Sequence, residues 1–254
     1  MCFPRKRTKN QLSDDDRTPN TSKPAEKDIK PTQSSTAPTQ APASTATVTE
    51  TMSSPRIAIV IYSMYGHIAK VAESVKSGVQ SAGGSATIYQ VSETLSQDIL
   101  EKMHAPAKPA YPIIAPTDLP NFDGFIFGVP TRYGNMPAQF KAFWDATGGL
   151  WASGALAGKY ASVFVSTGTP GGGQEVTALS MLSTFTHHGI IFVPLGYSKT
   201  FAQLSNLDEV RGGSPWGAGT FAGADGSRQP TALELEVAKI QGQHFYSVLS
   251  KVKF

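Results

Sequence analysis

Residues 56–62 read R-I-A-I-V-I-Y, an apolar, β-branched run that neither a helical period nor a simple in–out alternation explains. This is the pattern of a strand buried on both faces. Just beyond it, Ile68, Val71, Ala72, Val75 and Val79 recur at helical spacing until Gly83 and Gly84 stop them. A strand covered on both sides and followed by a helix calls for a parallel sheet between two helical layers. The remainder repeats the alternation. Strands are predicted at 86–91, 125–129, 160–165 and 190–193, with helices near 137–145, after Gly173, and over 233–249. The expected fold is α/β, a doubly wound, five-stranded parallel sheet in a three-layer α/β/α arrangement.

That pattern begins at residue 55. Residues 1–54 hold 6 Pro, 7 Ser and 10 Thr, and Phe3 is their only aromatic. Such a segment cannot bury enough apolar surface to offset its ordering entropy, so it is expected to be a disordered tail. The other 23 of the 24 aromatics lie in 55–254, which is read as one domain. Cys2 is the only cysteine, which excludes an intramolecular disulfide, a zinc ribbon and an iron–sulfur cluster, and no metal set is predicted. The domain carries 14 basic against 13 acidic residues, so no nucleic-acid partner is expected. The sequence lacks a run of 18 apolar residues and a hydrophobic signal core, and a cytoplasmic, reduced setting follows as the expectation. Cys2 lies beside Arg5, Lys6, Arg7 and Lys9. One reading is S-acylation with peripheral docking at the plasma membrane; the other is a solvated basic terminus. Residues 31–54, with the single charge Glu50, read as a spacer.

In doubly wound sheets ligands sit beyond the carboxyl ends of the strands, which directs attention to three loops. The first, S-M-Y-G-H-I at 63–68, lacks both G-x-G-x-x-G and the P-loop pattern. It offers a hydroxyl, a glycine and backbone N–H groups at a helix start, either a seat for one phosphate or a structural turn. The second, P-T-R-Y-G-N-M-P at 130–137, is stiffened by prolines and carries donors and an aromatic face. The third, S-T-G-T-P-G-G-G-Q at 166–174, has four glycines in nine residues and lets backbone approach a flat ligand. Hydrolase chemistry is poorly supported, since G-x-S-x-G is missing and the domain has no cysteine.

These loops, together with T-G-G-L-W-A-S-G-A-L, H-H-G and V-R-G-G-S-P-W-G-A, resemble the WrbA family over roughly residues 55–252, and the tail is similar to its fungal branch. The resemblance implies a flavodoxin-like, FMN-dependent NAD(P)H:quinone oxidoreductase that forms a homotetramer. It also implies two-electron, ping-pong reduction of quinones to quinols with an antioxidant role, and leaves NADH and NADPH as alternative donors. Carried over by position, the FMN-phosphate loop falls on Ser63, Met64, Tyr65, Gly66, His67 and Ile68. Tyr65 is also implied in nicotinamide contact. The second flavin loop falls on Pro130, Thr131, Arg132, Tyr133 and Asn135, and the third on Ser166, Thr167, Gly168, Thr169, Pro170 and Gly171. Bacterial members read S-T-G-T-G-G-G-Q, so Pro170 adds a residue and leaves the register at Pro170 and Gly171 open by one position. His187 matches a flavin-pocket residue that could give a proton to the quinone, and Trp151 matches a substrate-stacking aromatic. Read from the residues alone, His187 is equally a helix-end histidine, Trp151 a core or interface tryptophan, and Arg132 a surface ion-pair partner. His188 is read as structural, and Asp123 and Asp145 as capping or solvated groups. Residues 196–230 show little periodicity, and the resemblance assigns them to the site mouth and the subunit contacts. Two other functions stay open: a flavodoxin-type one-electron carrier, and a membrane-associated scaffold with vestigial flavin binding.

Overall fold

The computed structural model describes residues 54–254. The readings of Cys2, Arg5, Lys6, Arg7, Lys9 and the spacer up to residue 53 lie outside the described residues. Strand β1 (Ile57–Ile61) occupies the interior of a parallel sheet ordered β2 (Ala86–Gln90), β1, β3 (Gly124–Pro130), β4 (Tyr160–Thr167), β5 (Ile191–Phe192). Its two faces explain its unbroken apolar run. Ile57, Ile59 and Ile61 face a cluster with α1 (His67–Ser81) and α7 (Ala232–Leu249), whereas Ala58 and Val60 face α3 (Ala138–Asp145) and α5 (Gln174–His188). Helices α1 and α7 meet almost backbone to backbone. A Cβ on Gly78 would stand 2.0 Å from the Lys239 carbonyl oxygen, and one on Gly242 2.0 Å from that of Val75. On the opposite face the Phe127 ring lies 5.2 Å from Trp144 and 5.4 Å from Phe185, which ties α3 and α5 to the middle of β3.

The sheet has a sixth strand beyond the expected five. β5 is only two residues long and pairs with Tyr160 and Ala161, so the far half of β4 is left open. Short β6 (Gly219–Phe221) takes that edge, pairing in parallel with Val165, Ser166 and Thr167. Residues 196–230 therefore contain structure of their own, including α6 (Phe201–Leu204). Their organiser is Glu234, fully buried in the first turn of α7. Its carboxylate accepts from the N–H groups of Gly212 (2.8 Å), Phe221 (3.3 Å) and Thr231 (2.9 Å), from the Thr220 hydroxyl (2.8 Å) and from Arg228 (3.1 Å). The sequence signal for it was the capping box T-x-x-E at 231–234, in which Thr231 in turn accepts from the Glu234 N–H.

The amino end of the sheet is closed by ionic contacts around the buried Asp123. Asp123 accepts from the Arg56 N–H at 2.8 Å and from its guanidinium at 2.7 Å, so it is a buried ion-pair partner and not a cap or a solvated group. Burial works to raise its pKa, but the bonds from Arg56 win and hold the carboxyl below the usual carboxylate range. Asp145 pairs with Lys141 on the surface of α3. No helix among the described residues is long and apolar enough to cross a membrane.

Candidate active site

Three loops at the carboxyl edge of the sheet enclose a cavity of about 120 Å³. After β1 the chain turns into α1 through Gly66, whose φ of +89° favours a residue without a side chain. The Ser63 hydroxyl accepts from the N–H groups of Gly66 (3.2 Å) and Ala69 (3.4 Å). The N–H groups of Met64, Tyr65, His67 and Ile68 take no partner from the described residues. The first turn of α1 carries no acidic side chain. This is an unneutralised positive helix end lined with free donors, the usual seat of a phosphate.

The second loop is a tight turn. Arg132 and Asn135 exchange backbone bonds at 2.7 and 2.9 Å, and Tyr133 and Gly134 between them have φ of +55° and +76°. A left-handed tyrosine is strained by about 1–3 kcal/mol, and such outliers gather at ligand sites. Its ring is fully exposed. The third loop packs on the second: a Cβ on Gly173, itself at φ +96°, would stand 2.9 Å from the Gly134 Cα. Thr131 fastens the pair, accepting from the Gly134 N–H at 3.1 Å and bonding the Thr177 hydroxyl at 2.8 Å. Gln174 anchors the third loop to the irregular region. Its amide nitrogen donates to Thr167 (3.1 Å) and to the Thr220 carbonyl (3.0 Å), and its oxygen accepts from the Gly213 N–H (2.8 Å).

The predicted residues fall into three groups. Ser63, Met64, Tyr65, His67, Ile68, Pro130, Thr131, Arg132, Ser166, Thr167 and Gly168 line the one cavity. Gly66, Thr169, Tyr133 and Asn135 shape or flank its walls, while Pro170 and Gly171 border an adjoining depression of about 370 Å³ with Gln174 and Phe221. His187 and Trp151 lie elsewhere. α5 starts at the carboxyl edge and runs 15 residues, about 22 Å, back to the amino edge, where Ile191 pairs with the first residue of β4. Trp151, on α4 (Gly148–Ser153), belongs to that same edge, because the following turn donates from the Gly158 N–H to the Gly189 carbonyl. Both side chains are exposed there, Trp151 by 56%. Within one chain they do not meet the three loops.

The resemblance assigned 196–230 to the site mouth, but sequence reasoning singled out no residue of 222–229. Ala222 and Gly226 complete the cavity wall, and the N–H groups of Ala222 and Gly223 donate to the carbonyls of Thr167 (2.8 Å) and Gly168 (3.0 Å). It also missed Glu93, which accepts from the Tyr62 hydroxyl at 3.0 Å, directly ahead of the first loop. Burial works to raise the Glu93 pKa, but the Lys108 ammonium and the N–H groups of Leu95 and Thr94 bring it down to about 2.

A doubly wound sheet with a phosphate seat at its first turn and two further ligand loops at the same edge is the architecture of a flavodoxin-type nucleotide-binding protein. The family of NADPH-dependent FMN reductases matches residues 55–201, and the chain belongs to that family. It is 64% identical over 197 residues to the NAD(P)H quinone oxidoreductase PST3 of Candida albicans, covering 78% of this chain and 99% of that one. It is 61% identical over 197 residues to protoplast secreted protein 2 of Saccharomyces cerevisiae, with the same coverage. Among solved structures it is similar to a WrbA-like flavodoxin from Agrobacterium tumefaciens, with TM-score 0.55, 23% identity, and coverage of 79% of this chain and all of that one. That likeness bears on the fold, which is flavodoxin-like, three-layer α/β/α.

Proposed function

We propose that residues 55–254 form an FMN-dependent NAD(P)H:quinone oxidoreductase that reduces quinones to quinols by two electrons in a ping-pong cycle. The carrying observation is the first loop, where four unpartnered N–H groups surround the start of α1 beside Ser63. The residues fit FMN: the donor set suits a phosphate dianion, and the Thr131 and Gly168 backbones border the same cavity. Relatives named as quinone oxidoreductases supply the substrate class. When bound, FMN supplies the redox chemistry, and the protein supplies position and electrostatics.

Ser63 and the N–H groups of Met64, Tyr65, His67 and Ile68 would hold the phosphate end. The turn at 132–135 offers the Tyr133 ring, and the third loop offers main-chain donors. Trp151 and His187 act in the site of a neighbouring copy, Trp151 by stacking on the nicotinamide or the quinone, His187 by giving a proton to a quinone oxygen. Two features support assembly into a homotetramer: Trp151 is exposed, and the outward face of α5 presents Val176 and Leu179 with Glu175 as the helix's only acidic or basic residue besides its terminal histidines. A cytoplasmic location, an antioxidant role and peripheral membrane contact through Cys2 and its basic neighbours complete the reading; fractionating cells that express wild type and Cys2→Ser tests the contact.

The test of the activity is anaerobic. Bound FMN is bleached by NADH or NADPH and recovers its colour with benzoquinone. Fully loaded protein that neither donor bleaches contradicts the proposal.

A further inference from the structure

Two buried side-chain atoms take no partner from the described residues: Nε1 of Trp144, on α3, and Nδ1 of His188, at the end of α5. The two residues are only 5% and 8% exposed, and their rings stand 5.7 Å apart at an angle of 40°. Trp144 is wedged against Phe127, Phe143 and Phe185 at 5.2, 5.8 and 6.1 Å, so its indole has no room to turn toward solvent. The hydrogens around the pair can be placed from bonding alone. The Thr147 hydroxyl has one hydrogen and gives it to the Trp144 carbonyl at 2.6 Å. Toward His188 Nε2, 2.9 Å away, the same oxygen accepts, so Nε2 carries the ring hydrogen. Burial first, and then the neighbouring His187, hold the His188 pKa below its ordinary value, in keeping with a neutral ring. Nδ1 is therefore a bare acceptor, and the indole N–H beside it only donates.

We infer that a buried water bridges Trp144 Nε1–H and His188 Nδ1, and that His188, fixed in this way, is a positioning residue for Trp151 that acts through Thr147. The positioning half rests on the functional reading above. A water both accepts and donates, so it meets the indole N–H and Nδ1 together, and its two bonds span up to about 6 Å. A cation or an anion satisfies one of the two atoms and opposes the other. Leaving both unpaired in the interior is the costly alternative. With Nδ1 occupied, the ring cannot flip or change tautomer without breaking two bonds, and Nε2–H stays on Thr147. Thr147 stands directly ahead of α4, and its carbonyl accepts from the Trp151 N–H at 3.0 Å. α4 is six residues long and none of them is buried, so packing does little to fix it. The His188–Thr147 bond ties its start to the end of α5, which also carries His187. The stacking aromatic and the proton donor of the proposed shared site are thus held by one bond.

The experiment has a structural and a kinetic arm, both on the full chain loaded with FMN. A high-resolution crystal structure should show one water within hydrogen-bond distance of both Trp144 Nε1 and His188 Nδ1. A dry gap, or a direct contact between the two atoms, overturns the bridge. In the kinetic arm, His188→Phe removes both bonds of the ring. It should raise the benzoquinone KM about fivefold and leave kcat within a factor of about two, because stacking affinity is lost and the chemistry is not. His188→Gln keeps an N–H for Thr147 and should restore most of the wild-type KM. Thr147→Val removes the other end of the bond at nearly constant volume and should repeat the effect of His188→Phe, and it reads the bond if the phenylalanine variant fails to fold. In a Trp151→Ala background, where no ring is left to position, His188→Phe should leave the residual turnover unchanged. A melting temperature that falls while KM stays at the wild-type value marks a purely structural His188 and overturns the positioning role. A His188→Phe effect that persists without Trp151 overturns it as well. Wild-type protein that neither NADH nor NADPH bleaches overturns the functional reading itself, and the crystal structure still decides the water.

Discussion

The two edges of the sheet are made from the same strands and use their polar groups in opposite ways. At the amino edge, Arg56, Asp123 and Lys159 are bonded to one another's segments, with the Lys159 ammonium donating to the Pro120 and Phe122 carbonyls. At the carboxyl edge, backbone donors are left without partners, and Gly66, Tyr133, Gly134 and Gly173 sit in left-handed conformations. Bonds satisfied within the chain contribute to stability, and donors left free are available to a ligand. Exposed aromatics at the two edges differ in the same sense. Tyr133 sits on a strained turn, whereas Trp151 sits on a regular helix.

Substitutions at the two edges should therefore separate binding from stability. The largest effect is expected at Gly66→Val, where a β-branched residue at φ +89° forces the first loop out of shape. FMN affinity should fall on the order of a hundredfold, and the left-handed strain should cost the flavin-free protein about 1–3 kcal/mol. Fluorescence titration and thermal melts read the two quantities separately. Asp123→Ala should cost stability alone, about 1–2 kcal/mol in urea unfolding, and leave the FMN Kd within a factor of two.

Acid should act mainly where carboxylates are held ionised. Asp123 and Glu93 both have folded pKa values below their unfolded ones, so their contribution is present above about pH 4 and is lost as pH falls through the folded values, about 2 for Glu93. Urea midpoints measured from pH 6 to pH 2 should drop across that window, and Asp123→Ala should drop less steeply than wild type. The smallest effect is expected at Tyr133→Gly. Relief of the left-handed strain should raise stability by about 0.5 kcal/mol, the gain being partly offset by glycine's larger unfolded-state entropy. Quinone turnover should fall with it, because the aromatic face at the turn is gone.

Most of the fold was legible because its signal is local. The run at 56–62 announced a doubly covered strand, and the structure puts alternate residues of β1 against the two helical layers. The three loops were legible because strand ends and glycines mark them. What escaped is non-local. β6 takes the edge that the short β5 leaves open, and Glu234 collects partners from residues 212, 220, 221, 228 and 231, none of which the sequence reading assigned to it. Glu93 lies 31 residues from the tyrosine it meets. The spread of Trp151 and His187 to the far edge follows from helix length and strand register, which motif matching does not contain.

In the proposed enzyme one chain carries both halves of a site, on opposite edges, and copies complete each other. Co-expressing Gly66→Val, which keeps Trp151 and His187 but binds FMN poorly, with Trp151→Ala, which keeps the three loops, tests it directly. Each variant alone should be nearly inactive toward benzoquinone with NADH or NADPH. Co-assembled protein should regain a substantial fraction of wild-type turnover per bound FMN. Turnover no greater than the sum of the two variants, in protein shown to contain both chains, would contradict it.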